Sequence, residues 1–188
     1  MKQFFKLNRN IRKGDVYIER SEVPKYIEDA YTEGIQLAPI RETLKFFYRY
    51  KTNLKTDYLA GSERYPIISD KFRNILVDIS PEFLEFFPVQ IVCEKTNEID
   101  ASYYFLNILH NIPCFDWEQS DYGTLGFDDI IIKVSKLVIK PDFVKERDIF
   151  RIKELPELIF ISEKLRTILE REAISGMEFI NIEDVTLG

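Results

Sequence analysis

The sequence is poor in the residues that build metal and disulfide sites. Its 188 residues include one histidine and two cysteines, Cys93 and Cys114. A structural zinc site needs about four converging nitrogen or sulfur ligands, and a disulfide framework needs several paired cysteines. We therefore expect no metal and no cofactor. Both cysteines are expected to be buried free thiols in a reducing cytoplasm.

Long apolar segments are also missing. No apolar run approaches the roughly 20 residues that a membrane helix requires, and residues 1–6 lack the apolar core of a signal peptide. Gly123 and Gly126 lack the spacing and the lysine of a phosphate-binding loop. These absences favour a cytoplasmic protein that neither crosses a membrane nor cradles a nucleotide in such a loop.

The acidic side chains are concentrated in one part of the chain. Hydrophobic residues make up 45% of the sequence, which predicts a folded protein, and the net charge is −6. Residues 82–129, which we name the acidic block, hold ten acidic side chains and one base, Lys95. This asymmetry concerns partners and association rates rather than fold. Its sign argues against nucleic acid as the ligand, because phosphates would be repelled.

A ten-residue stretch occurs twice, at residues 67–76 and 160–169, and its two serines, Ser69 and Ser162, lie 93 positions apart. In each copy an apolar run ends at the serine, which can cap a helix by accepting a backbone N–H. An acid follows, where the helix dipole favours negative charge, and apolar residues then recur at helical spacing. A second apolar run closes each copy. The repeat predicts two related strand–helix–strand units.

Short apolar and aromatic runs between turn signals predict strands elsewhere, at residues 4–7, 16–18, 44–50, 103–109, 114–117, 130–132 and 136–139. A helix is predicted over residues 23–31, capped by Ser21 and ended by Gly34, and residues 121–126 are predicted to form a loop. The fold class is therefore α+β, a mostly antiparallel sheet with few short helices. A soft boundary near residue 96 predicts two parts, 1–96 and 97–188, each with one repeat unit. One continuous domain is the alternative.

Several short motifs follow one another in a fixed order: an aromatic-x-x-Asn strand, an Asp-x-x-x-Ser turn, an Ile-Phe-Arg step, Ile-Ser-Glu-x-Leu and Gly-x-Glu-Phe. They contain Tyr104, Asn107, Asp116, Ser120, Phe150, Ser162 and Gly176. Over roughly residues 57–184, this order resembles the immunity proteins of bacterial polymorphic toxin systems, a myxobacterial-type domain first catalogued without a function. The resemblance implies a cytoplasmic protein that protects its producer by binding a secreted toxin. It supplies no catalytic residues.

Two groups of polar residues could suggest chemistry. His110, Cys114 and Asp116 resemble a zinc or Cys-His-Asp set, but neighbours on one hairpin rarely converge as such sites require. Asp100, Asp116 and Asp121, with Glu118, could form an acid/base pair or a magnesium site. We prefer a structural interpretation, in which Asp116 and Ser120 bind backbone N–H groups of a turn.

The motif residues are accordingly predicted to be structural: Tyr104, Asn107, Asp116, Ser120, Ser162 and Gly176. Asn107 is expected to be a buried, hydrogen-bonded amide. No catalytic residue and no metal ligand is predicted.

The sequence thus predicts a non-enzymatic immunity protein whose partner is a cognate protein toxin rather than nucleic acid or a membrane. The partner-binding candidates lie in the acidic block: Glu94, Glu98, Asp100, Trp117, Glu118, Asp121, Tyr122, Asp128 and Asp129. Two alternatives stay open at this point, a carboxylate-based enzyme or small-ligand protein and an accessory protein that acts as a homodimer. The neighbouring reading frame discriminates between them, because a large secreted protein with a variable C-terminal domain favours immunity.

Overall fold

The computed structural model describes residues 3–37, 39–50, 54–62, 64–126 and 130–188. Its strands are β1 (Phe4–Arg9), β2 (Tyr17–Ile18), β3 (Arg20–Glu22), β4 (Leu44–Tyr48), β5 (Tyr58–Gly61), β6 (Ile67–Ser69), β7 (Leu84–Cys93), β8 (Ile99–Ile108), β9 (Asp121–Leu125), β10 (Ile130–Lys136), β11 (Ile149–Ile152), β12 (Leu155–Ser162) and β13 (Met177–Asn181). Its α-helices are α1 (Lys25–Glu33), α2 (Asp70–Ile79) and α3 (Glu163–Arg171). Within the described ranges, no helix is long and apolar enough to span a membrane.

The largest sheet has seven strands in the order β2-β5-β6-β8-β7-β4-β3. Its two end strands, β2 and β3, are separated in sequence by Glu19 alone, and the Glu19 N–H donates to the carbonyl of Phe47 in β4 at 2.9 Å. The sheet therefore nearly closes on itself as a barrel. Most strand pairs are antiparallel, as predicted, whereas β2–β5 and β4–β7 are parallel.

A second sheet has the order β11-β12-β1-β13 and is antiparallel throughout. The hairpin of β9 and β10 forms a separate two-stranded sheet. Three apolar clusters fill the space around these sheets. The first includes Phe46 and Phe105 and lies inside the barrel, and the second places α2 and α3 between the two large sheets. The third, including Phe115 and Phe160, lies on the outer face of the four-stranded sheet beneath the hairpin.

Both repeat copies form strand–helix–strand units, β6-α2-β7 and β12-α3-β13. Ser69 Oγ accepts the Phe72 N–H and Ser162 Oγ accepts the Leu165 N–H, each at 3.2 Å, so both predicted caps are confirmed. Each serine hydroxyl also donates to a carboxylate, Asp57 at 2.7 Å and Asp148 at 2.6 Å. The aspartates fix the rotamers of the capping serines, a detail that the repeat alone does not predict.

The likeness between the units extends to a strand outside the repeat. In the first unit β8 lies between β6 and β7, and in the second β1 lies between β12 and β13. Ser69 faces Tyr103 of β8, and the equivalent Ser162 faces Phe4 of β1. The β1 strand, from the start of the chain, therefore takes the place in the second unit that β8 takes in the first.

Aromatic contacts follow the same correspondence. The guanidinium of Arg73 in α2 lies 4.7 Å from the ring centroid of Tyr104 in β8. Arg166, at the same position of α3, lies 4.4 Å from the ring of Phe5 in β1. Such cation–π contacts stabilise by about 0.5–1 kcal/mol at partly exposed sites. Tyr104 therefore has a structural role in attaching α2 to the barrel sheet.

The exchange of strands bears on domain organisation. β8 begins after residue 96 but lies in the barrel sheet, and β1 belongs to the four-stranded sheet built mainly from the end of the chain. The division into 1–96 and 97–188 stays a prediction. These exchanges support its alternative, one continuous domain.

The start of the first helix differs from the prediction. Ser21 lies in β3, paired with Phe46, and α1 begins one residue after Pro24 without a side-chain cap. Proline is favourable at a helix start because its fixed φ suits the first turn. The helix ends at Gly34, with φ of 68°, as the sequence predicts.

The strand predictions between residues 112 and 139 also need correction. Residues 114–117 do not pair with β8, whose neighbours are β6 and β7; Phe115 forms an isolated bridge with Ile139 instead. Residues 121–126 are not a loop, since β9 covers most of them. The two predicted strands at 130–132 and 136–139 are replaced by the single strand β10. Tertiary pairing decides the structure of these short segments, because strand preference depends strongly on context.

Candidate partner-binding surface

The candidate residues of the acidic block occupy two different parts of the fold. Glu94, Glu98 and Asp100 lie at the turn between β7 and β8, at one end of the barrel sheet. Trp117 and Glu118, with Asp121 and Tyr122 of β9, lie beside the β9–β10 hairpin. Asp128 and Asp129 fall outside the described residues. The candidate residues that the sequence groups together therefore lie on two separate surfaces.

Charge at the β7–β8 turn is partly neutralised by bases from earlier in the chain. Arg20 Nε lies 2.8 Å from a Glu94 carboxylate oxygen, and Lys55 Nζ lies 2.6 Å from Asp100. Burial alone would raise the pKa of Asp100, but hydrogen bonds from Lys55 and Ser102 outweigh it and lower that pKa. This turn is accordingly less negative than its sequence predicts.

The acids beside the hairpin are more available to a partner. The side chains of Glu118 and Asp121 are both exposed. Among the residues that the structure describes, neither forms an ion pair, although Lys136 faces Asp121 across the hairpin. Glu118 and Asp121 are therefore exposed acids of the acidic block that no described base contacts directly.

Trp117 and Tyr122 belong to an aromatic cluster under the hairpin. The Trp117 ring lies 4.8 Å from Phe115 and 5.2 Å from Tyr122, in edge-to-face arrangements. Both side chains are half-buried and pack against the third apolar cluster. They hold the hairpin on the sheet and expose only part of their surface, so their role as partner anchors stays a prediction.

The hairpin exposes three large apolar side chains that the sequence does not single out. Leu125 is 62% exposed, Ile130 56% and Ile132 52%, and Leu125 pairs with Ile130 across the two strands. A run of three isoleucines suggests a buried strand. In a two-stranded sheet with one face on the core, however, the opposite face of such a run must meet solvent.

Two motif residues near the hairpin bind backbone groups. Asp116 is 7% exposed, and its Oδ1 accepts the backbone N–H groups of Glu118 and Gln119 at 3.1 Å each. Ser120 donates to the Val138 carbonyl at 3.1 Å and accepts the Val138 N–H at 3.0 Å. Asp116 thus binds turn N–H groups, whereas Ser120 binds a backbone segment 18 residues away rather than a turn. The carboxylate of Asp116 is thus occupied as a turn acceptor.

The cysteine chemistry follows from burial. Cys93 and Cys114 are free and buried, as predicted. Burial raises the pKa of Cys114 to about 12, so its thiol stays protonated at neutral pH.

His110 is exposed, in a left-handed turn with φ of 60°. Across the described ranges, no group of three or more His, Cys, Asp or Glu residues is arranged to hold a metal ion.

Asn107 binds the segment that follows α1. Its side chain is fully buried, and Nδ2 donates to the Ile35 carbonyl and to Glu85 Oε2, each at 3.0 Å. The same Glu85 oxygen accepts the Leu37 N–H at 2.9 Å. Asn107 Oδ1 has no hydrogen-bond partner among the described residues. The Asn–Glu pair therefore holds one backbone carbonyl and one backbone N–H of an extended segment.

Asp57 connects the two units. Its carboxylate accepts hydrogen bonds from the hydroxyls of Ser69 and Ser175 at 2.7 Å each, and from the Ser175 N–H at 2.9 Å. Burial alone would raise the pKa of Asp57, but the bonds from Ser175 and Ser69 outweigh it and lower that pKa. A carboxyl with a lowered folded-state pKa contributes stability above its unfolded pKa and loses it as pH falls.

We therefore expect Asp57→Asn to reduce the free energy of unfolding at pH 7 by roughly 2 kcal/mol, since hydrogen bonds to a charged group contribute about 1.5–3 kcal/mol. The deficit should shrink as pH falls below about 4, near the unfolded pKa of aspartate. Urea unfolding of both proteins at pH 7 and pH 3 measures this change. A deficit of the same size at both values would show that the charge of Asp57 contributes nothing.

All of the strands and α-helices given above fall within one family match. The family described as "Immunity protein family (Imm11)" matches residues 3–184 of the chain. That range begins before β1 and ends after β13, so it includes both repeat units and the hairpin. A comparison with curated proteins finds no match.

Proposed function

Because the chain belongs to the Imm11 immunity protein family, we propose that it binds a cognate secreted toxin in the cytoplasm and thereby neutralises it. Family membership gives the toxin-immunity role, and the match over residues 3–184 is the observation that carries the proposal. Neutralisation by binding requires no catalytic step, and we expect the purified protein to show no turnover.

The surface that we propose for toxin binding is the exposed face of the β9–β10 hairpin, named here the hairpin surface. It consists of Glu118, Asp121, Leu125, Ile130 and Ile132. Protein interfaces combine an apolar centre with a polar rim. The three exposed apolar side chains can supply that centre, and the two carboxylates can form its rim.

The acidic rim supports a particular order of events. A toxin domain that acts on nucleic acid needs basic residues to neutralise phosphates. Carboxylates on the immunity protein attract such a surface at long range and raise the association rate. Fast capture limits the time during which a toxin can act in the cytoplasm. Apolar contacts at the hairpin then determine how long the complex lasts, because affinity among related complexes varies mostly through dissociation.

The role itself is tested with the toxin candidate from the adjacent reading frame. Its C-terminal domain is expressed in a host cell with and without this chain, and purified samples of both proteins are mixed. We expect the domain to be toxic alone, harmless with this chain, and bound in a stable complex. A metabolic operon at that position, or continued toxicity during co-expression, would reject the immunity function.

The acidic rim makes a separate prediction about kinetics. As salt rises from low to physiological concentration, kon should fall steeply, because screening shortens the range of attraction. The Glu118→Lys, Asp121→Lys double variant should reduce kon at low salt by about tenfold or more. Surface plasmon resonance against the toxin domain measures both effects, and thermal stability should not change.

The matched control is Asp142→Lys, Glu146→Lys, which makes the same charge change on an exposed segment outside the acidic block. This control should lower kon less than the Glu118→Lys, Asp121→Lys variant does. A kon that ignores salt, or equal effects of the two double variants, would remove the hairpin acids from the mechanism and leave the immunity role intact.

A further inference from the structure

The two related units contain the same polar pair. In the first unit Asn107 of β8 faces Glu85 of β7, and Nδ2 donates to the carboxylate at 3.0 Å. In the second unit Asn8 of β1 faces Glu178 of β13, and Nδ2 donates to the carboxylate at 2.6 Å. Glu85 and Glu178 occupy the same repeat position, and β1 takes the place of β8. The two pairs are therefore equivalent in position and in chemistry.

The first pair shows which ligand this arrangement accepts. It holds the extended segment of residues 35–37 through backbone groups alone, the Ile35 carbonyl on Asn107 and the Leu37 N–H on Glu85. An amide donor beside a carboxylate acceptor matches a carbonyl and an N–H two residues apart. Such a pair recognises the backbone of an extended peptide, whatever its side chains are.

The second pair is exposed rather than covered. Within the described residues, the side chains of Asn8 and Glu178 hydrogen-bond only to each other. One Nδ2 hydrogen of Asn8 and one carboxylate oxygen of Glu178 are thus available to a further molecule. The pair lies on the same face of its sheet as Phe4 and Ile180, which belong to the third apolar cluster.

We propose that Asn8 and Glu178 bind the backbone of an extended segment of the cognate toxin, as Asn107 and Glu85 bind residues 35–37. The inference rests on the proposed function, because it takes the toxin as the partner. The toxin then contacts this pair in addition to the hairpin surface. Asn8 donates to one toxin carbonyl, and Glu178 accepts from one toxin N–H.

A groove beside the pair indicates which kind of side chain the bound segment carries. Past Lys6, the last β1 residue paired with β12, a groove of about 230 Å³ opens between the two strands. Asn8 lines it together with two cationic residues and one acid, Lys6, Arg64 and Glu157. Arg9 also lines it, but its guanidinium donates to the carbonyls of Gly61 and Tyr65. This charge balance favours a segment with an acidic side chain next to the backbone contact.

The test measures dissociation of the toxin domain from variants of this chain. We expect Asn8→Ala and Glu178→Gln each to raise koff by about tenfold, the effect of losing one hydrogen bond to the toxin backbone. Because both side chains are on the surface, thermal stability should stay within a degree or two of wild type. Asn74→Ala is the matched control, since Asn74 donates to Asp70 at 3.3 Å in an equally exposed pair on α2.

Overlapping synthetic peptides from the toxin domain locate the segment. One acidic peptide should bind the wild type, compete with the toxin domain and lose binding when a single backbone nitrogen is methylated. Wild-type protection with an unchanged koff in both variants would overturn the backbone contact and leave the immunity function standing. A wild type that neither binds nor protects would reject the proposed function itself. A dimer of this chain that Asn8→Ala converts to monomer would assign the pair to a second copy and overturn the inference.

Discussion

Arg151→Met is expected to destabilise the protein by about 3–5 kcal/mol, because removing a buried guanidinium leaves its hydrogen-bond acceptors without donors. Arg151 is fully buried in β11. Its guanidinium donates to the carbonyl of Tyr31 in α1, to Ile108 in β8 at 2.9 Å and to Pro156 in β12 at 3.2 Å. It also lies 4.2 Å from the ring centroid of Tyr31.

The size of this effect follows from the position of Arg151 between elements. Burial lowers the pKa of Arg151 from its usual value, yet an arginine stays protonated in a folded protein. The polar environment of this buried charge therefore consists of three carbonyls from three different elements, those of Tyr31, Ile108 and Pro156. In the methionine variant no side chain can donate to these carbonyls, and the joint between α1, β8 and the four-stranded sheet loosens.

Urea unfolding at pH 7 measures the loss, and hydrogen exchange locates it. The amides of α1 should lose protection first, since Tyr31 is held from that side. Arg171→Met, an exposed arginine at the end of α3, is the control and should change stability by less than about 0.5 kcal/mol. If Arg151→Met loses no more than the control, the buried guanidinium has no structural role.

Gly176→Ala is the second change with a large expected effect. Gly176 has φ of 84°, and a Cβ placed on it would lie 2.3 Å from the carbonyl oxygen of Tyr58 and 2.5 Å from Thr56 Oγ1. The backbone must move apart at the contact where Ser175 accepts the Tyr58 N–H at 3.0 Å. Overpacking costs about 1–3 kcal/mol and left-handed strain about 1–3 kcal/mol, so we expect a combined loss of about 3 kcal/mol or more.

Gly126→Ala is its matched control. Gly126 has φ of 74°, nearly the same backbone strain, but no heavy atom lies within 4 Å of its added Cβ. The difference between the two variants in urea unfolding therefore isolates the close approach of Gly176 to the first unit. Equal losses in both would mean that the left-handed conformation alone explains the glycine at position 176 of the Gly-x-Glu-Phe pattern.

The features that the sequence predicts are those that depend on neighbouring residues. Ser69 and Ser162 cap helices three residues away, and the apolar residues that follow them pack at helical spacing. Asp116 likewise accepts N–H groups two and three residues ahead. Such local contacts leave a pattern that can be read without knowing the fold.

The features that the sequence does not predict depend on distant partners. The pairing of Phe4 with Ser162, which inserts β1 between β12 and β13, has no local signal. The segment that Asn107 binds also has no local signal, because Ile35 and Leu37 lie far from Asn107 in the chain.

Charge shows the same limit. A count of carboxylates treats Asp100 and Asp121 alike, but the fold brings Lys55 to the first and leaves the second exposed. The acidic block therefore does not predict how much of its charge each part of the fold leaves unneutralised. The exposed face of the isoleucine run in β10 is likewise decided by tertiary packing, because only the other face of the hairpin lies against the third apolar cluster.

The position of β1 has a consequence for protein synthesis. On the ribosome, β1 emerges long before β12 and β13, so the second unit cannot close until both of those strands have been translated. During that time Phe4 and Phe5 lack the strands that bury them, and loop closure over such a distance is slow. The first unit is complete much earlier, since its strands β6, β7 and β8 follow one another in sequence. A newly started chain therefore gains its second unit later than its first, once β12 and β13 have both been translated.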